Sequence, residues 1–342
     1  MCPSNFQSAS ALSSTRKYLA VLLVLVIALS GISGGLLLGC NGGSVGEPKE
    51  LNRQIVIGSM VTEDILPMWV AEDEGIFAEY GLDATVMTFQ SAQELSTAVA
   101  SGSVDLAMTD IMVSATLTAS GTPVVMEWVT LGATPAQGRF GILASPESGI
   151  TSLKDLAGVP IGVGSNTVPE YVMYGLMRNA GIPDDQIVGE EIKKVPVRYE
   201  MMASNQVAAA ALPGALLTLG EATGMVLVAD DSTGENLSQS VMIFREDALA
   251  NTQNGLLLTE TLALVWNDAV NRINANPENY RDLLVEKAQL PVPIQDVYVI
   301  SEYPLTARPT LEMVTPVLEW MYKKGYLEIE LTYNQATGAF KK

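Results

Sequence analysis

The apolar positions change their period repeatedly along the chain, and the alternation of periods predicts the elements. Gln54-Ile55-Val56-Ile57-Gly58 is a β-branched run closed by Gly and Ser, a first strand. From Pro67 to Phe77, apolar residues recur around Glu72, Asp73 and Glu74, the pattern of an amphipathic helix stopped near Gly75 and Gly81. Residues 82–89 alternate as a second strand, residues 93–101 form a helix ended by Gly102, and residues 104–108 a short buried strand. A helix over 112–119 then leads into a strand over 124–131. The pattern restarts with strands at 140–144 and 160–163, a helical turn at 152–156, a helix over 169–180, and strands at 192–195, 207–211 and 225–229 around short helices at 199–203 and 216–223. Val241–Phe244 reads as a strand able to cross back to the first unit. Helices dominate afterwards, at 256–274, 277–288 and 311–324. Strands alternating with helices of about ten residues mean βαβ units and mostly parallel sheets.

The first 53 residues break this pattern. Arg16 and Lys17 precede an unbroken apolar run from Tyr18 to Leu29, then Ser and Gly residues lead to Leu37-Leu38-Gly39-Cys40. A charged start, an apolar stretch and a small residue before the cut make a secretory signal. The tetrad resembles the bacterial lipobox, in which Cys40 is acylated and becomes the first residue of the processed chain. The alternative is an uncleaved anchor, since Tyr18–Leu38 is long enough to span a bilayer. Residues 40–53 form a polar, glycine-rich, flexible tether.

Composition narrows the chemistry. Of 342 residues, 38 are acidic and 19 basic, giving a net charge of −19, which argues against nucleic acid as a partner. Loss of residues 1–39 removes two basic residues and no acidic one, so the net charge falls to −21. The chain has no histidine, which excludes histidine-based triads and zinc sites. Its two cysteines build no disulfide framework, and the processed chain keeps only Cys40. No cofactor and no metal is expected.

Four segments carry a family resemblance. Asp64–Phe77 resembles the first helix of solute-binding proteins of ABC importers, and Ala78-Glu79-Tyr80-Gly81-Leu82 resembles their "F-x-x-x-G-L" entry to the second strand. Ala98–Ala107 is similar to their "A-L-x-x-G-x-x-D-x-A" segment. Ile150–Val163 is similar to the second-lobe signature "I-x-S-x-x-D-L-x-G-K-x-V-G-V". The branch resembled includes binders of nitrate, of taurine and other sulfonates, and of the pyrimidine precursor of thiamine. The resemblance covers about residues 54–330. It implies a two-lobed α/β periplasmic-binding-protein type 2 fold with two hinge strands. Residues 54–138 and 238–342 would form lobe 1, and 139–237 lobe 2. It also implies a small-molecule ligand, an ABC permease with its ATPase as partners, a monomer, and an extracytoplasmic, lipid-anchored location.

Strand ends and the helix starts after them are the candidate ligand positions. They are Trp69, which could stack on a flat ligand, Gln90 and Ser91 after the second strand, and Thr109 and Asp110 after the third. In lobe 2 they are Ser165, Asn166 and Thr167, whose turn can cap a helix or hold an anion, and Pro213, where many relatives carry "E-P". Arg139 is a further possible anion partner. Glu63, Asp64, Asp110 and Glu170 near the expected cleft favour a neutral or cationic nitrogen heterocycle, such as a pyrimidine or flavin-like compound. The competing readings are a sulfonate- or nitrate-type anion in the same role, a ligand-sensing lipoprotein, and an enzyme on the same scaffold. The last would need the histidine and cysteines that the processed chain lacks, so no catalytic activity is expected.

Overall fold

A computed structural model describes residues 54–249 and 252–342. The expected signal, Cys40 and the tether lie outside the described residues. Among those described, no helix is long and apolar enough to cross a membrane.

The first lobe begins as three βα steps: β1 (Ile55–Met60), α1 (Leu66–Asp73), α2 (Ile76–Glu79), β2 (Ala84–Phe89), α3 (Ala92–Ser101), β3 (Leu106–Asp110) and α4 (Ile111–Ala119). The single helix expected over 67–77 is broken because Gly75 takes a left-handed conformation, φ 73°. β4 (Val124–Leu131) then leads to the second lobe. There β5 (Phe140–Ala144), β6 (Pro160–Val163), α5 (Val168–Asn179), β7 (Val188–Glu191), α6 (Val195–Ala203), β8 (Ala209–Pro213), α7 (Gly214–Ala222) and β9 (Val226–Asp230) follow in order. β10 (Ser240–Arg245) returns to the first sheet. The chain continues through α8 (Glu246–Leu249), α9 (Thr252–Ala275), α10 (Arg281–Lys287) and α11 (Leu311–Lys324), and ends in a hairpin of β11 (Thr332–Asn334) and β12 (Ala339–Lys341).

The first sheet has the order β11-β12-β4-β10-β3-β1-β2, and the second β7-β6-β8-β5-β9. In each, a parallel trio is extended by antiparallel strands. β1 pairs parallel with β2 and β3, while β10 runs antiparallel between β3 and β4. β6 pairs parallel with β7 and β8, while β5 runs antiparallel between β8 and β9. The sheets are therefore mixed, because β5 and β10 each enter from the other lobe and not from a helical crossover.

The sequence misplaced one strand. Residues 192–195 were expected to be extended, yet the strand is Val188–Glu191 and Val195 already opens α6. Pro196 in the first turn of that helix explains the shift, since proline fixes a helical φ and loses no needed N–H there. The C-terminal hairpin was also not foreseen; its strands have three residues each, too short for a periodic signal.

Trp69, Trp128 and Trp266 are buried in the core of the first lobe, with Trp128 stacked obliquely on Trp266 at 5.9 Å. Two C-terminal segments reach the second lobe. Trp320 on α11 packs edge-on against Tyr171 and Tyr174 of α5, at 5.2 and 6.0 Å, and the turn Val292–Ile294 packs on α7. The crossing segments 132–139 and 231–239 run side by side. Asn236 Nδ2 donates to Gly132 O at 2.8 Å, and Phe140 N donates to Asp231 Oδ1 at 2.8 Å. Gly132 sits at φ 83°, with space for a Cβ already taken by Ser238 O.

Candidate functional site

The parallel strands of both sheets end at one cleft, and the helices that follow start there. On the first lobe, β2 is followed by Ser91, whose Oγ accepts from Glu94 N at 3.2 Å, while Glu94 Oε2 accepts from Gln90 N at 3.1 Å. This reciprocal cap fixes the start of α3. β3 ends in Asp110, whose Oδ1 accepts from Val113 N at 2.7 Å and caps α4. On the second lobe, β6 gives way to Gly164–Thr167 and α5, and β8 to Pro213 and α7.

Between them lies an interlobe cavity of about 80 Å³. The first lobe contributes Met60, Thr62, Asp64, Met108, Thr109, Asp110 and Ser240. The second contributes Phe140, Gly164, Thr167, Lys193, Arg198 and Pro213. Two further cavities share walls with it. One, of about 320 Å³, adds the apolar Phe89, Tyr199, Leu216 and Leu290 together with Glu63 and Gln90. The other, of about 310 Å³, adds Ser91, Gln93, Ser165, Asn166 and Glu191.

The first-lobe wall is acidic and buried. Glu63 and Asp64 are buried neighbours, with Tyr298 OH donating to Glu63 Oε1 at 2.7 Å and Ser240 Oγ donating to Asp64 Oδ2. Burial, reinforced for Glu63 by its neighbour's charge, pushes both carboxyls above their usual range. Burial also pushes Asp110 up to about 6, against the backbone hydrogen bonds that favour its anion.

Arg198 stands on the facing wall, 1% exposed. Its Nε donates to Ile192 O at 3.0 Å and its Nη1 to Ala211 O at 2.9 Å. It forms no ion pair with a described residue, and burial lowers its pKa to about 10, so it stays protonated at neutral pH. Gly164 lets the side chain pass: a Cβ there would lie 2.8 Å from Nη2.

The structure brings Gln90, Ser91, Thr109, Asp110, Ser165, Asn166, Thr167 and Pro213 to the walls of these three cavities. It does not bring Trp69, which is 1% exposed in the first-lobe core and lines none of them. The stacking role expected of Trp69 is corrected on that ground: α1 turns this ring toward the core shared with α9. Arg139 is spent within the second lobe, paired with Asp230 at 2.7 Å and Glu221 at 2.9 Å. Lys193, Phe140, Ser240 and above all Arg198 were not foreseen as site residues. The one available signal for Arg198 was a single cation inside Val195–Ala203, a helix start following a strand.

Residues 62–262 match the family model described as "NMT1/THI5 like", which spans more than half of the chain. The chain belongs to this NMT1/THI5-like family. No curated protein matches the sequence. Among solved structures, the alkanesulfonate-binding protein SsuA from Xanthomonas axonopodis pv. citri, bound to MOPS, superposes with a TM-score of 0.69 at 16% identity, covering 81% of this chain and 94% of that one. The periplasmic aliphatic sulphonate binding protein SsuA from Escherichia coli gives 0.66 at 17% identity, with the same coverage. The periplasmic nitrate-binding protein NrtA from Synechocystis PCC 6803 gives 0.65 at 13% identity, covering 81% and 83%. At these identities the likeness shows the fold, that of the periplasmic binding proteins.

Proposed function

We propose that this family member is an extracytoplasmic solute-binding lipoprotein. It captures a small molecule in the interlobe cleft and hands it to an ABC permease and its ATPase. Residues 54–138 with 238–342 act as one rigid body and 139–237 as the other, with the two crossing segments as the hinge. Acylated Cys40 holds the protein at the membrane surface.

The observation that carries this reading is Arg198, a buried cation that faces an interlobe cavity, forms no ion pair with a described residue and feels an acid, Glu191, only through its charge. Leaving such a charge unpaired is costly, and an acid group on the ligand would offset that cost at closure. The ligand is therefore a small molecule carrying an acid group. A second reading, a neutral or cationic nitrogen heterocycle, draws on the buried carboxyls of Asp64 and Asp110, but it no longer has Trp69 as a stacking partner. Melting of the full chain against sulfonates, nitrate, carboxylic acids, pyrimidines and flavins separates the two. Acid-bearing compounds should raise the melting temperature by several degrees. Shifts confined to uncharged heterocycles would contradict the acid reading.

A further inference from the structure

The turn that leads into α5 is where a helix start would ordinarily receive an oxyanion, since its N–H groups and dipole favour negative charge. Here three of its donors are already taken by the protein's own carboxylates. Ser165 N donates to Glu191 Oε2 at 2.8 Å, Asn166 N to Glu170 Oε2 at 2.6 Å, and Val168 N to Asp110 Oδ2 at 3.2 Å. Glu170 and Glu191 belong to the same lobe as the turn. Asp110 does not: it reaches across the cleft from the end of β3, using one oxygen to cap its own α4 and the other to cap α5. A second crossing contact lies alongside, from Asn166 Nδ2 to Thr116 Oγ1 at 2.8 Å.

We propose that Asp110 determines specificity by occupying the α5 N-terminus from the opposite lobe, so that small free oxyanions are refused there. An acid group is then received beside this turn by side-chain cations: Lys193, and Arg198, whose Nη2 would lie 2.8 Å from a Cβ at Gly164 and makes no hydrogen bond to a described residue. An incoming sulfate would have to displace a carboxylate that already has its hydrogen bonds. It would also enter the field of three further acids, Asp64, Glu170 and Glu191. This inference rests on the cleft being the solute site and adds which groups in it receive the acid group.

The test is isothermal titration of sulfate and methanesulfonate at pH 7.5 into the full chain, comparing wild type with Asp110→Ser and Asp110→Asn. Serine and asparagine both still cap α4, and circular dichroism melting establishes that each variant is folded. Asp110→Ser frees Val168 N–H and removes the competing charge, so sulfate affinity should rise about tenfold or more; Asp110→Asn should give a smaller gain. Unchanged or weaker sulfate binding in both folded variants overturns the proposal. A wild type that binds an acid-bearing solute through Arg198 keeps the solute reading whichever way these titrations fall. A gain in Asp110→Ser beside a wild type that binds nothing would sink the solute reading while leaving the role of Asp110 intact.

Discussion

Held between the carbonyls of Ile192 and Ala211, the guanidinium of Arg198 has two of its nitrogens committed and the third left toward the cleft. Lysine in its place would keep a charge but not the rigid fork that fills both carbonyls and still presents a donor. The acidic residues opposite have a different consequence, on stability. Asp110 and Asp231 are raised to about 6 by burial, and Glu63 and Asp64 are raised as well. A carboxyl whose pKa is higher folded than unfolded binds more protons in the folded state, so stability falls as pH rises from about 4 through about 6. Asp184, drawn down by Arg178 and Lys323, acts oppositely, and its contribution is lost only as pH falls below about 4. The melting temperature should therefore be higher at pH 5 than at pH 7.5, and Asp110→Asn should narrow the difference. A wild type that melts lower at pH 5 would contradict this sign.

At the scale of elements, the pair of crossing segments, the proposed hinge, is the point of least tolerance. Gly132 lies at φ 83°, and a Cβ there would collide with Ser238 O on the neighbouring crossing segment. Gly132→Ala should cost more than about 2 kcal/mol in chemical denaturation, because conformational strain and a backbone clash add. A loss under about 0.5 kcal/mol, the usual surface value, would show that the two crossing segments are not packed as described. Most elements were legible because their residues obey local rules. β4, β5 and β6 are rich in apolar residues, β4 interrupted only by Glu127 and Thr130, and α11 ends at Gly325 in the left-handed conformation. The site was legible where it coincides with these rules, since Ser91 and Asp110 are helix caps before they are anything else. Arg198 was not, because what makes it exceptional is that it is buried without an ion pair to a described residue, and its placement depends on Ile192 and Ala211, which tertiary structure brings to it. Trp69 misled for the converse reason: its place in sequence is near the cleft, but the helix turns it to the core.

At the scale of the molecule, two sheets meet at their strand ends, and C-terminal segments bridge them through Trp320 on α5 and Val292–Ile294 on α7. In the proposed closure the two crossing segments and these straps guide the lobes, and the cleft walls are the surfaces that a ligand draws together. The tether reading has its own check. Cys40→Ala should release the protein from the membrane fraction, and a variant that stays membrane-bound would restore the uncleaved anchor. The central claim, that the cleft closes on a solute through Arg198, is tested most directly by calorimetric titration of the acid-bearing compound that most stabilises wild type, repeated on Arg198→Lys. The account predicts a loss of affinity of about tenfold or more with the folded state retained; equal affinity in wild type and Arg198→Lys would contradict it.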